Sequence, residues 1–179
     1  MKILFLDHDG VICLSTEWGS RFKKKTKFDN FNKKAVKVLN EIIKATDCEI
    51  VVSSDWRFHG TLEELQEYYT KSGVIKTPID TTVINFLEKG VDFPADFQFN
   101  REWDSEQTRS LEIKKWLREH PEVTNWVAVD DLDMGKTGLH YSVEFVHDWG
   151  LENFVKTPIE DEGIKQCGIK EKIIKFLNG

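Results

Sequence analysis

The sequence is poor in the residues that build disulfide frameworks and thiolate metal sites. Three of its 179 residues are cysteines, widely spaced and odd in number, at Cys13, Cys48 and Cys167. This pattern argues against a disulfide-rich scaffold and fits a reducing compartment. The five histidines show no zinc-ligand spacing with a cysteine, so the sequence contains no recognisable zinc motif.

The sequence also lacks segments that would divide the chain or direct it to a membrane. It has no long Gly/Ser/Pro linker, repeat or low-complexity tract, and its 40% hydrophobic content is enough for one core. We therefore expect one domain over residues 1–179. It shows no apolar signal segment or membrane span, which predicts a cytoplasmic protein without membrane partners. The sequence leaves the oligomeric state open.

What the sequence does have is an apolar run that ends abruptly in carboxylates. Residues Ile3 to Leu6 are all apolar and are followed by Asp7 and Asp9. The run predicts a strand buried on both faces of a parallel sheet, with both carboxylates on one side of its carboxyl end. Two carboxylates this close repel each other, so they favour a hard divalent cation such as Mg²⁺ between them.

The same arrangement occurs again about 120 residues later. An apolar strand predicted over Trp126 to Val129 runs into Asp130, Asp131 and Asp133. Because parallel strands end at one edge of a sheet, the two acidic groups are expected to converge there. The alternative is an ordinary Asp turn or helix cap after a strand.

A third apolar strand is followed by hydrogen-bond donors instead of carboxylates. Val51 and Val52 lead into Ser53, Ser54 and Arg57, whose hydroxyl and guanidinium groups suit phosphate oxygens. Alternatively, one serine caps the next helix and Arg57 pairs with an acid at the surface.

Apolar strands alternate with amphipathic helices, which predicts an α/β fold with a doubly wound parallel sheet. Thr61 and Glu64 form a capping box at the start of one helix, and another helix is predicted around residues 111–117. Further strands are predicted at residues 74–76 and 141–146, and a C-terminal helix at 169–177.

Taken in order, these motifs resemble the haloacid dehalogenase (HAD) superfamily of phosphotransferases. More narrowly, the chain looks like the small HAD domains associated with RNA repair proteins, relatives of the phosphatase half of polynucleotide kinase-phosphatases. The motifs that carry the resemblance are Asp7-His8-Asp9-Gly10-Val11-Ile12, Val51-Val52-Ser53-Ser54-Asp55-Trp56-Arg57 and Val127-Ala128-Val129-Asp130-Asp131-Leu132-Asp133. The resemblance implies a Rossmann-like sheet with a small or minimal cap, for which residues 77–108 are the expected insert.

The resemblance also implies roles for these residues. Asp7 would be the nucleophile that forms an aspartyl-phosphate, and Asp9 the general acid and base. Asp7, Asp9, Asp130 and Asp131 would hold Mg²⁺, although the sequence does not decide whether Asp131 or Asp133 supports the metal. The phosphate would be bound by Ser53, Ser54, Arg57 and the cation of the third family motif.

That third motif is normally a lysine, and here the chain departs from the pattern. Arg109 best fills the matching position before the helix, and its guanidinium can bind phosphate in a bidentate manner. Lys114 and Lys115 are the alternatives, although helical spacing places both opposite Ile113 and Trp116, on the exposed face.

The expected function is a Mg²⁺-dependent phosphomonoesterase that favours nucleic-acid 3′-phosphate ends, because a modest cap leaves the site open to large substrates. One alternative is a phosphatase of free nucleotides or small phosphorylated metabolites, and another is a non-catalytic HAD-like binding module. A net charge of −6 argues against a broad nucleic-acid surface. The basic segment 21–27, where the family places a flap, is either a funnel for a polyanion or a solvated loop. Trp56 either stacks on a base or braces its loop.

Overall fold

The computed structural model describes residues 1–82, 104–135 and 150–179, and these ranges contain a five-stranded parallel sheet. The strand order is β3-β2-β1-β4-β5. The chain therefore moves outward from β1 to β3 in one direction and then continues on the other side of β1. The strands are β1 (Lys2–Leu6), β2 (Glu49–Val52), β3 (Asp80–Thr81), β4 (Asn125–Asp130) and β5 (Phe154–Lys156).

Helices connect the strands, and their ends follow local sequence chemistry. Asn32 caps the helix α2 (Lys33–Thr46) by accepting hydrogen bonds from the backbone N–H groups of Lys34 and Ala35. The capping box of Thr61 and Glu64 is formed at the start of α3, as the sequence predicts. The helices are α1 (Ser20–Lys24), α2 (Lys33–Thr46), α3 (Leu62–Lys71), α4 (Asp104–Glu119) and α5 (Ile169–Asn178). One-turn 3₁₀ helices lie at Ser15–Glu17, Asp55–Phe58 and Gly163–Lys165.

The core consists of two apolar layers, one on each face of the sheet. Leu4 and Leu6 of β1 pack on the layer formed with α2, α3 and α5, whereas Ile3 and Phe5 pack on the layer that contains Ile113 of α4. Alternate residues of β1 thus serve both layers, which explains why the strand is apolar without interruption. Helices on both faces of a parallel sheet make this the doubly wound α/β fold that the sequence predicts.

The three motif-bearing strands, the helix around 111–117 and the C-terminal helix are confirmed, but the predicted strand at 74–76 is wrong. There the chain still completes the end of α3, because the Val74 backbone N–H donates to the carbonyl of Tyr69. The edge strand is instead β3, which pairs with Val51 and Val52. The expected insert at 77–108 therefore overlaps β3 and the beginning of α4, and the rest of it lies outside the described residues. The predicted strand at 141–146 also lies outside them, and β5 follows at 154–156.

The central strand β1 lies between β2 and β4, where the order of the sheet reverses. Ligands of open α/β sheets bind beyond the carboxyl ends of the strands at such a point. This is where the sequence places its acidic motifs. None of the helices in the described ranges combines the length and the apolar character needed to cross a membrane.

Candidate active site

Asp7 and Asp130 meet where the two central strands end. Leu6 of β1 is in register with Val129 of β4, and the Asp7 backbone N–H extends the ladder with a 3.1 Å hydrogen bond to the Val129 carbonyl. Asp7 is 3% exposed and Asp130 is fully buried. The convergence expected from the sequence is therefore present in the fold.

Asp131 completes a group that we call the acid cluster, made of Asp7, Asp130 and Asp131. One carboxylate oxygen from each residue lies within 4.8 Å of the other two. Asp133, the alternative to Asp131, points to β5 instead, where its carboxylate lies 3.4 Å from the ammonium of Lys156. The structure therefore brings Asp131, and not Asp133, to the acidic motif of β1.

Arg109 of α4 reaches the acid cluster with its guanidinium. It contacts Asp130 at 2.7 Å and Asp7 at 3.3 Å, and its other terminal nitrogen lies 2.9 Å from Asp55. Burial by itself lowers the pKa of Arg109, but the neighbouring carboxylates raise it above its ordinary value. Lys115 lies about 1.7 turns further along α4 and pairs with Glu119 at 3.1 Å. Of these two basic candidates for the third motif, the one at the site is Arg109.

One guanidinium does not balance three carboxylates in this environment. Burial and the charge of Asp130 raise the pKa of Asp7 well above its usual range, although Arg109 acts in the opposite direction. Burial and the adjacent Asp130, which accepts a hydrogen bond from it, raise the pKa of Asp131 to about 7. Hard oxygen donors that are too crowded to ionise together fit a divalent cation such as Mg²⁺. Asp7, Asp130 and Asp131 are the residues that would hold it.

The Asp9 carboxylate is held apart from the acid cluster. It accepts a 2.9 Å hydrogen bond from Nε1 of Trp56 and another from the thiol of Cys13. The structure therefore does not place this carboxylate in the acid cluster, whereas the sequence predicts that it holds Mg²⁺ together with Asp7, Asp130 and Asp131. Burial raises the pKa of Asp9, although the hydrogen bonds from Trp56 and Cys13 act in the opposite direction.

Trp56 braces its loop, which is the second of the two alternatives that the sequence leaves open. It is 4% exposed, and its ring stacks on Phe28 at 5.1 Å and on Phe31 at 5.3 Å between centroids. His8 packs against the same ring and shares a 2.7 Å hydrogen bond with the Tyr69 hydroxyl. Burial lowers the pKa of His8 to about 3, so the imidazole is neutral. These aromatic rings fix Trp Nε1 where Asp9 needs a donor.

Gly10 allows the first and second acidic motifs to come together. Its φ is +69°, and a methyl group at its Cα would lie 2.5 Å from the carboxylate oxygen of Asp131. A larger residue here would meet both backbone strain and a clash with the acid cluster. The carbonyl of Gly10 accepts a 3.1 Å hydrogen bond from the buried hydroxyl of Thr157. Nothing in the sequence marks Thr157, because it lies after an edge strand that carries no recognisable motif.

The two serines after β2 have different environments. Ser53 is 2% exposed, its backbone N–H donates to the Leu6 carbonyl at 3.0 Å, and its hydroxyl has no hydrogen-bond partner among the described residues. A buried hydroxyl without a partner is costly unless a ligand completes it. The Ser54 hydroxyl accepts from the backbone N–H of Trp56 at 3.4 Å and caps the following turn. Ser54 is therefore the serine that caps the following turn, which the sequence allows as an alternative to phosphate binding.

Arg57 is not directed at the acid cluster. Its guanidinium forms a 2.6 Å ion pair with Glu112 of α4, and both side chains are at most 3% exposed. The same Glu112 oxygen accepts a 3.3 Å hydrogen bond from Thr82. The expected phosphate-binding role of Arg57 is thus replaced by a buried link from the β2 loop to α4. No signal in the sequence joins residues 57 and 112, which lie 55 positions apart.

Comparison with known proteins returns one family. The family described as "HAD domain in Swiss Army Knife RNA repair proteins" matches residues 3–154. These residues include both acidic motifs, the Ser53 loop and Arg109. No curated protein and no solved structure matches the chain.

Proposed function

We propose that this chain, which belongs to the family of HAD domains in Swiss Army Knife RNA repair proteins, is a Mg²⁺-dependent phosphomonoester hydrolase. The observation that carries the proposal is the pairing of a buried carboxylate at the end of the central strand, Asp7, which belongs to the acid cluster, with a second carboxylate, Asp9, which lies outside that cluster and is held by Trp56. Because the two carboxylates are held apart, Asp7 can act as the nucleophile and Asp9 as the proton carrier without exchanging roles.

In the first step, an oxygen of the Asp7 carboxylate attacks phosphorus. A P–O bond to Asp7 forms while the bond to the leaving alcohol oxygen breaks, which gives an aspartyl-phosphate. The proton of Asp9 passes to the departing oxygen, so that the alcohol leaves neutral. In the second step Asp9 takes a proton from water, which attacks the aspartyl-phosphate, releases inorganic phosphate and restores both carboxyl groups.

Charge on the phosphoryl oxygens must be balanced throughout both steps. Mg²⁺ held by Asp7, Asp130 and Asp131 would supply positive charge at these oxygens. The Ser53 hydroxyl offers a buried donor without another described partner, and Arg109 supplies a guanidinium at 3.3 Å from Asp7. Phosphoryl transfer depends mainly on such positioning and charge stabilisation.

For the substrate we propose the 3′-phosphate end of a polynucleotide. The family description names RNA repair proteins, which supports a nucleic acid as the carrier of the phosphate. Free nucleotides and small phosphorylated metabolites are the competing substrate class, and the experiment below separates the two.

The test measures phosphate release with and without Mg²⁺ from a 3′-phosphorylated oligonucleotide, a 5′-phosphorylated one, mononucleotides and an aryl phosphate. We expect Mg²⁺-dependent release, fastest from the 3′-phosphorylated end, and a loss of about 10⁴-fold or more in Asp7→Asn. A substrate labelled at phosphorus should leave a hydroxylamine-sensitive label on the wild-type protein and none on Asp7→Asn.

The outcomes separate the parts of the proposal. Release from none of the substrates would contradict the hydrolase and favour a binding module. Release from mononucleotides or the aryl phosphate alone would keep the chemistry and reject the polynucleotide end. Turnover that survives in Asp7→Asn would reject the aspartyl-phosphate.

A further inference from the structure

A groove of about 690 Å³ lies on the α2 and α3 side of the sheet and is rich in lysine. It is bounded by α1, the first turn of α2, the end of α3 and the turn at Gly163–Lys165. We call it the lysine groove. The lysines that line it are Lys24, Lys33, Lys34, Lys71 and Lys165. Two carboxylates also line it, Glu17 and Asp161, so the groove is positive on a chain whose net charge is −6.

Most of these lysines are not neutralised by neighbours. Among the described residues, Lys33, Lys34 and Lys165 form no ion pair, and Lys24 donates only to the side-chain oxygen of Asn30 at 3.0 Å. Lys71 pairs with Glu67 at 3.3 Å, but both side chains are more than 70% exposed, so solvent weakens the pair. The positive charge is therefore available to an anionic ligand.

Two of the lysines occupy positions at which a positive charge does not stabilise the helix that carries them. Lys33 and Lys34 occupy the first turn of α2, which contains no acidic residue. The positive end of the helix dipole lies there and disfavours cations. An anionic ligand would be attracted by both lysines and by the positive end of the helix dipole. The stability of the helix gives no reason for a lysine at either position.

The chain segment that borders the groove also carries exposed aromatic rings. Glu17 and Lys24 line the groove, and between them Trp18 is 45% exposed and Phe22 is 74% exposed. The Trp18 ring is fixed through its Nε1, which donates to the Cys13 carbonyl at 3.3 Å. Proteins bind single-stranded nucleic acid with exposed rings and a positive groove, since bases stack on the rings while phosphates track the cations; here the rings lie on a chain segment that borders the groove.

Two aromatic residues that line the groove pack against the tryptophan that holds Asp9. Phe31 and Tyr68 line the groove, and both rings pack against Trp56 at centroid distances of 5.3 and 5.9 Å. Trp56 in turn donates to Asp9. The aromatic layer that holds Asp9 thus forms the floor of the groove on its other side.

We propose that the lysine groove binds the sugar–phosphate backbone of a single-stranded polynucleotide, with Trp18 and Phe22 as stacking surfaces at its edge. As a substrate assignment this rests on the proposed function, because the bound strand would be the one whose end is hydrolysed. The groove lies outside the acid cluster, so binding there is separable from chemistry. It also explains how an acidic protein recognises a polyanion, since the positive charge is concentrated in one place.

The test measures binding of a fluorescent single-stranded oligonucleotide that ends in a 3′-hydroxyl, so that no turnover is possible. Each phosphate contact contributes about 0.7 to the slope of log K against log salt for single strands, which corresponds to about five-fold in affinity per lysine at 0.1 M salt. Lys33→Gln/Lys34→Gln should therefore weaken binding by about 25-fold and reduce the slope by about 1.4. Trp18→Ala should weaken it by at least several-fold.

The matched control is Lys37→Gln/Lys44→Gln, which removes the same charge from the same helix at exposed positions outside the groove. We expect this variant to bind within about two-fold of wild type. Removing Lys33 and Lys34 should not lower the melting temperature, since the dipole disfavours both. A loss of binding cannot then be attributed to unfolding.

Several results would overturn the proposal. These are wild-type protein that does not bind the oligonucleotide, equal losses in the two double variants, or a groove that binds polyglutamate as tightly as the oligonucleotide. Hydrolysis of the aryl phosphate by Lys33→Gln/Lys34→Gln should equal that of wild type. Lysine-dependent binding by a protein that hydrolyses none of the phosphates would keep the groove and reject the proposed function.

Discussion

Asp7 and Asp130 are buried within 3.3 Å of the Arg109 guanidinium, whereas Lys33 and Lys34 are exposed and form no ion pair with a described residue. Buried charges interact strongly but only in a fixed geometry, since each must be compensated at close range. Exposed charges interact weakly and are screened by salt, but they need no fixed geometry. The first arrangement suits a reaction at one phosphorus atom, and the second suits attraction of a chain of phosphates.

We expect the loss of the Asp9 carboxylate to have the largest effect on turnover. Asp9→Asn keeps the hydrogen bond from Trp56 but cannot deliver a proton. We expect kcat for an oligonucleotide 3′-phosphate to fall by about 10²–10⁴-fold. Formation of the phosphorylated enzyme from an aryl phosphate with a good leaving group should fall much less, because that group needs no proton.

Single-turnover and steady-state rates on the two substrates measure this difference. Asp133→Asn is the control, since its carboxylate lies at the same edge of the sheet but pairs with Lys156, and it should keep nearly full activity. An equal loss on both substrates in the first step would show that Asp9 does not act as the acid.

Arg109 should have the next largest effect. Removing one donor aimed at developing charge typically costs about 10²–10³-fold in kcat, so we expect a loss of this size for Arg109→Gln. The control is Lys115→Gln, which removes a cation from the same helix whose partner is Glu119. If Lys115→Gln were the variant that lost activity, the third family motif would have to be reassigned.

The buried link between Arg57 and Glu112 should affect stability more than chemistry. Glu112→Gln leaves the Arg57 guanidinium buried without a counter-charge, and we expect a loss of about 3 kcal/mol in the free energy of unfolding. Urea denaturation measures it as a lower midpoint with an unchanged slope. Glu67→Gln, which breaks the exposed pair with Lys71, should lose at most about 1 kcal/mol.

Local sequence patterns predict the strands that carry the site but not the contacts between distant residues. The strands that carry Asp7, Ser53 and Asp130 are continuous apolar runs, because a central parallel strand is buried on both faces, and such runs are visible locally. The two-residue strand β3 is too short to show periodicity. The Arg57–Glu112 pair and the Thr157 contact to Gly10 depend on tertiary proximity, to which no local pattern corresponds. The separation of Asp9 from the acid cluster likewise depends on Trp56, a residue 47 positions away.

The smallest expected effect is the response of thermal stability to Mg²⁺ and pH. In the metal-free protein the pKa of Asp131 is raised to about 7, above its ordinary value in the unfolded chain. Below about pH 4 both states carry the proton, and the carboxyl group does not affect stability. As pH rises from there to about 7, the unfolded chain releases the proton first, so stability falls and the loss is complete above pH 7.

At pH 8, Mg²⁺ at ten times its Kd should raise the free energy of unfolding by about 1.4 kcal/mol, which corresponds to about 3–6 °C in melting temperature. The increase should be smaller at pH 5, where protons compete for the acid cluster. Melting curves at both pH values measure this, with Asp131→Asn as the variant that should lose most of the Mg²⁺ response. An equal Mg²⁺ shift in wild type and Asp131→Asn would remove Asp131 from the residues that hold the ion and would leave Asp7 and Asp130 as the remaining pair of the acid cluster.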